Sequence, residues 1–142
     1  MSSGNFECDS TVDSNGVLIL RFAGLFNTDD WLTRVQEKQQ SDQKTFNPDQ
    51  PVIVDLQDFK PPESDWSDEI RKVLSWLKVR GPRRGRRALI IGENMEAQIA
   101  GHFYVKFKEA IIGIDEGLRI FVSHDEGYAW VSEGWLNPQP QE

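Results

Sequence analysis

Cys8 is the only cysteine in 142 residues, so an internal disulfide is excluded. No apolar run approaches the roughly 18 residues of a membrane span; the longest are short stretches such as 17–20 and 88–91. The opening Met1-Ser2-Ser3-Gly4-Asn5 carries neither the basic nor the apolar region of a secretory signal. A cytoplasmic protein is the expectation. Histidine is nearly absent, with only His102 and His124, and neither stands in a His-Glu or Cys-His group at metal-ligand spacing, so no metal is expected. Phosphate-cradling Gly-x-Gly-x-x-Gly and Gly-x-x-x-x-Gly-Lys runs are missing, and so is a Gly-x-Ser-x-Gly elbow. These gaps point to a chain without a cofactor and without enzymatic activity. Cys8, flanked by Glu7 and Asp9, lacks the basic surroundings that make a thiolate, and reads as a small buried strand residue.

What is present describes one soluble domain. The length allows burial of roughly two-thirds of the unfolded surface in a single core. With 38% hydrophobic residues the chain belongs with globular proteins, and 27% charged residues suit a well-solvated surface. The net charge of −7 argues against nucleic acid as the main partner. Charge is nevertheless uneven. Residues 71–87 hold eight of the 16 basic residues and no acid; removing those eight charges leaves the remainder at −15. A positive patch on a negative molecule follows.

Periodicity gives the element order. Residues 5–12 and 17–22 read as two strands around Asp13-Ser14-Asn15-Gly16, whose Asn-Gly pair is a hairpin signal because both residues tolerate positive φ. Thr28 is the expected N-cap of a helix reaching about Ser41, with Trp31, Leu32 and Val35 inward. The β-branched run 52–56 is a central strand, and residues 57–66 form the loop after it. Ser67 is the expected cap of a second helix, whose Ile70, Val73, Leu74 and Leu77 form an apolar stripe that Gly81-Pro82 ends. Residues 88–91 make a fourth strand. Asn94 caps a third helix with Ile99, Phe103, Phe107 and Ile111 recurring every four residues, and 118–122 is the last strand. Ser123-His124-Asp125-Glu126 is a capping box opening a short helix, and 137–142 is a frayed tail. The fold class is thus α/β, β-β-α-β-α-β-α-β-α, a mostly parallel five-stranded sheet with one antiparallel edge strand and helices packed on it.

Three stretches resemble a known family: residues 16–24 (GVLILRFAG), 52–59 (VIVDLQDF) and 118–131 (LRIFVSHDEGYAWV). With the element order they resemble the STAS fold, named for sulfate transporters and anti-sigma-factor antagonists, and more closely its SpoIIAA-like branch. The resemblance implies a non-enzymatic regulatory module that engages a protein partner or a lipid-like ligand. Anti-sigma-factor antagonists of this fold carry Asp-Ser-Ser-Gly at the start of the second helix, with a phosphorylated serine. Here the matching stretch is Asp65-Trp66-Ser67-Asp68, with Trp66 in the serine's place. A phosphate on Ser67 would meet Asp65, Asp68 and Glu69, so a plain cap is the favoured role for that serine.

In a parallel sheet, ligands gather at the carboxyl ends of the strands, where helix N-termini also point. Asp58, Ser64, Asp65, Trp66 and Ser67 fall there and are the expected ligand- or partner-binding residues. Trp66 has either a structural role, stacking on Arg71, or a ligand-facing one. Arg83, Arg84, Arg86 and Arg87 form an alternative surface at the opposite end of the sheet, suited to anionic lipid in peripheral membrane contact or to an acidic partner. Nucleic acid suits it less, since no aromatic interleaves these arginines. Tyr128, Trp130, Val131, Trp135 and Leu136 in the last helix close the core or meet an interface.

Overall fold

The computed structural model describes residues 6–41, 47–61, 66–80 and 84–135. Its elements run β1 (Glu7–Val12), β2 (Leu18–Leu25), α1 (Thr28–Ser41), β3 (Val52–Lys60), α2 (Trp66–Arg80), β4 (Arg87–Ile90), α3 (Met95–Ile111), β5 (Leu118–Phe121) and α4 (His124–Ser132). The strands lie in the sheet in chain order, β1 antiparallel to β2 and the rest parallel, as the sequence predicts. Because each crossover steps one strand in the same direction, right-handed connections carry α1, α2 and α3 to a single face. Among the described residues, α4 alone covers the opposite face.

Strand alternation therefore divides the core in two. On the three-helix face Leu56, Phe59, Leu89 and Ile91 pack with Ala97. On the α4 face Val17, Ile53, Ala88 and Ile90 pack with Val131, and Phe121, Tyr128, Trp130 and Trp135 extend that cluster. Closing the core is thus what Tyr128, Trp130, Val131 and Trp135 do; Leu136 lies outside the described residues. A chain of ring contacts through Phe6, Phe22, Phe26, Trp31 and Trp76 ties β1, β2, α1 and α2 together.

Several local expectations are corrected. Only Gly16 has positive φ in the hairpin (+82°), so the connection is not a two-residue Asn-Gly turn. Gly16 N–H donates to the Asp13 carbonyl, and Asp13 Oδ1 accepts from the N–H groups of Asn15 and Val17, which gives a three-residue loop closed by glycine. Asn27, not Thr28, caps α1, its Oδ1 accepting from Asp30 N–H at 2.9 Å. Thr28 is buried in the first turn, with Oγ1 unpartnered. In α3 the row Ile99, Phe103, Phe107, Ile111 does not face the sheet. Ala97, Ala100, Gly101, Tyr104 and Val105 do. A four-residue repeat drifts around a 3.6-residue helix, and small residues let the helix come close to the sheet. A Cβ on Gly101 would already touch Ile120 Cδ1 at 3.5 Å. Phe103 and Phe107 instead stack edge to face at 4.8 Å, with the Arg71 guanidinium over Phe107.

Asn94 and Ser123 cap α3 and α4 as the sequence predicts, accepting from Ala97 and Glu126 N–H respectively. The stop expected at Gly81-Pro82 and the tail 137–142 lie outside the described residues.

Candidate functional site

The carboxyl end of the sheet is built around an extension of β3. The strand does not end at Leu56 but runs to Lys60, so Asp58 belongs to a strand and not to a loop. Between Arg21 and Ala23 the register with β2 shifts by one residue, a bulge that sets Leu56 and Gln57 against Phe22. Asn94 holds the bulged backbone. Its Nδ2 donates to the carbonyls of Phe59 (2.8 Å), Gln57 (3.0 Å) and Leu56 (3.3 Å), while its Oδ1 caps α3. One side chain thereby joins the β3 extension to the start of α3. Gly92 completes the corner: at φ +58° it passes so near Gln57 that a Cβ would lie 2.7 Å from Oε1.

Asp58 projects to the α4 side beyond that helix's reach, where its Oδ2 accepts from Arg21 Nη2 at 2.6 Å. The Asp58 carboxylate pushes the Arg21 guanidinium pKa above its usual value. Glu7 and Asp9 on β1 stand 4.0 and 3.8 Å from the same guanidinium. Around this rim Gln57 and Glu93 are exposed, and two apolar side chains on α3 face solvent, Met95 (69% exposed) and Ile99 (57%). Sequence reasoning missed Arg21, Gln57, Asn94's second role and Met95. A lone arginine within the otherwise apolar Leu18–Leu25 was the available signal for the first.

Of the other rim residues named from sequence, Ser64 and Asp65 lie outside the described residues. Trp66 and Ser67 are the first two residues of α2, so the helix starts two residues earlier than a Ser67 cap requires; Asp68 and Glu69 fall in its first turn. These residues follow β3 into α2, at the same end as Asp58 and Asn94.

The arginine loop stands at the amino end of the strands and is largely spent on carboxylates. Arg84 binds Asp49 through Nε (2.8 Å) and Nη2 (3.2 Å). Arg86 Nη1 donates to Glu133 Oε1 (2.7 Å) and the Trp130 carbonyl (2.8 Å), and its guanidinium stacks on the Trp130 ring at 4.9 Å. Arg87 is not a surface group at all. It is buried and forms two bonds to Asp115, at 2.7 and 2.8 Å, with Lys108 Nζ on the same carboxylate at 2.5 Å. Burial alone would raise the Asp115 pKa, but the hydrogen bonds and charges of Arg87 and Lys108 outweigh it and hold the carboxyl well below its usual range. The placement of Arg87 in an anionic-surface patch is thereby corrected: as the first residue of β4 its side chain points into the three-helix face, where it needs an internal partner. Arg83 lies outside the described residues.

His102 is exposed on α3, and His124 stacks on Tyr128 with centroids 6.1 Å apart. Among the described residues no three His, Cys, Asp or Glu side chains are grouped to hold a metal ion. Cys8 is half-buried on β1, and burial raises its thiol pKa above the usual value despite the opposing charge of Arg34. No described helix is long and apolar enough to cross a membrane.

The sequence matches no protein-family profile and no curated protein. The structure is similar to that of an uncharacterised protein of the DUF3478 family, with a SpoIIAA-like fold, from Shewanella loihica PV-4. The two superpose with a TM-score of 0.64 at 11% identity, over 92% of this chain and 98% of the other. The chain, whose described residues form a mixed five-stranded sheet with one antiparallel pair and four helices, therefore has a SpoIIAA-like α/β fold of the STAS type.

Proposed function

We propose that the protein is a non-enzymatic, cytoplasmic binding module of the STAS type, engaging a protein partner or a lipid-like ligand at the carboxyl ends of its strands. The observation that carries this reading is the β3 extension stitched by Asn94. A bulge held by three hydrogen bonds from one buried-side amide presents Gln57 and Asp58 on rigid backbone, beside the solvent-facing Met95 and Ile99. Rigid polar positions next to exposed apolar surface are what a recognition site requires, because little entropy is lost when they are covered. Trp66 and Ser67 open α2 at this same end. The arginine loop supports an anionic-lipid or nucleic-acid reading less well, since Arg84, Arg86 and Arg87 already have carboxylate partners.

Native mass spectrometry of the protein purified from its own host tests the reading. A retained partner or lipid is expected. Asp58→Ala, Met95→Asp and Trp66→Ala should each reduce it while the thermal midpoint stays near that of the parent. Arg84→Gln, at the other end of the sheet, should leave retention unchanged. Retention that ignores all three rim substitutions would overturn the proposal.

A further inference from the structure

The two edges of the sheet are chemically different, and only one of them is guarded. A free strand edge offers unpaired N–H and C=O groups to any other strand, and natural proteins place charges there to block pairing. β1 follows that practice: Glu7 and Asp9 are both well exposed on its α4 side, so two copies of β1 would bring four carboxylates onto one short surface. β5, Leu118-Arg119-Ile120-Phe121, has one charge and is followed by Val122, which is 60% exposed.

Hydrogen bonding fixes which amides of β5 are free. Arg87 N–H donates to the Gly117 carbonyl and Ile91 N–H to the Phe121 carbonyl. Residues alternate in a parallel ladder, so 117, 119 and 121 face β4, and Leu118, Ile120 and Val122 direct their backbone outward. Leu118 N–H turns back to the Asp115 carbonyl at 3.3 Å. Among the described residues no strand pairs with the outward side of Ile120 and Val122.

We infer that β5 is the interface for a second copy of this chain, joining two sheets edge to edge about a two-fold axis at Ile120. The side chains select both the partner and the register. In an antiparallel pair of identical strands, each face stays on its own side only when paired residue numbers have an even sum. Centring the axis on Arg119 sets two guanidinium groups against each other. Centring it on Ile120 sets Ile120 opposite Ile120 and Leu118 opposite Val122, an apolar row on the three-helix side, and Arg119 opposite Phe121 on the α4 side. Cross-strand apolar and aromatic pairs of this kind are favourable. Arg119 is already disposed to such contact, since its guanidinium lies 4.8 Å from the Trp130 ring, and Phe121 stacks on that ring at 5.6 Å. The contact is isologous and closes on itself, so it gives a dimer and not a fibre. One strand pair with its flanking rows falls short of the roughly 800 Å² per partner of a standard interface, so the dimer depends on concentration.

Sedimentation under reducing conditions, which removes any Cys8-linked species, tests this. The mass should rise from 16.3 kDa toward twice that value with concentration. The Ile120 and Val122 amides should exchange more slowly over the same range, while those of Cys8, Ser10 and Val12 on the β1 edge do not change. Val122→Lys should restore the monomer while keeping the parent's melt. If that variant fails to fold, the concentration dependence of wild-type amide exchange decides alone. A monomer at every concentration, a Val122→Lys dimer as strong as the parent's, or protection that appears elsewhere than on β5 overturns the inference.

Discussion

Replacing Asp115 with asparagine isolates a part-buried carboxylate that binds two cations. The carboxylate accepts two bonds from Arg87, one from Lys108 and one from Gly117 N–H at 3.0 Å, so it ties together the start of β4, the last turn of α3 and the turn into β5. The amide has the same shape but no charge, and it takes the Asp115 charge away from two cations whose side chains are each only 11% exposed. Removing one partner of a fully buried pair costs about 3–5 kcal/mol; with Asp115 itself 22% exposed, the lower end, about 3 kcal/mol, applies. In a domain of this length that lowers the thermal midpoint by about 10 °C. Arg87→Gln should do the same, and the double variant should fall well short of the sum, because both remove one interaction. The pH dependence gives a second reading. A carboxyl whose pKa is lowered by folding contributes its full stability above the unfolded value of about 3.9 and loses it as pH falls through the lower folded value. The stability gap between parent and Asp115→Asn should therefore be constant from pH 7 to about pH 5 and narrow below about pH 4. Urea melts across this range measure it. A gap under about 1 kcal/mol at pH 7, or one that persists unchanged to pH 2.5, refutes the argument.

Three further substitutions probe packing and caps. Gly127→Ala places a Cβ 2.5 Å from Cδ1 of fully buried Ile90 and 3.3 Å from Ala88 Cβ, so overpacking of about 1–3 kcal/mol should appear in a denaturant melt. Thr28→Val keeps the shape of a buried side chain while removing a hydroxyl without a partner, and calorimetry should show the variant as stable as the parent or up to about 1 kcal/mol more so. Asn94→Ala removes a helix cap and the bonds to three carbonyls; a loss of about 2 kcal/mol, with faster amide exchange through residues 57–60, is expected.

The sequence by itself determined the order and type of the nine described elements, because strand alternation and capping residues are local signals. Asn94 and Ser123 act as caps where the chain said they would, since a cap depends on residues three positions apart. The antiparallel start and parallel remainder followed from connection length alone. Tertiary structure decided what depended on neighbours distant in sequence. Arg87 looked like one of four loop arginines until β4 turned it toward Lys108 and Asp115, 21 and 28 positions away. Asp58 looked like a loop residue until the bulge opposite Phe22 and the Asn94 side chain extended β3 beneath it. In α3 the residues that meet the sheet include the small Ala97, Ala100 and Gly101, because close approach to a sheet rewards small residues, which periodicity does not weigh. The difference between a guarded β1 edge and an open β5 edge belongs to the assembled sheet alone, since no strand is an edge until its neighbours are known.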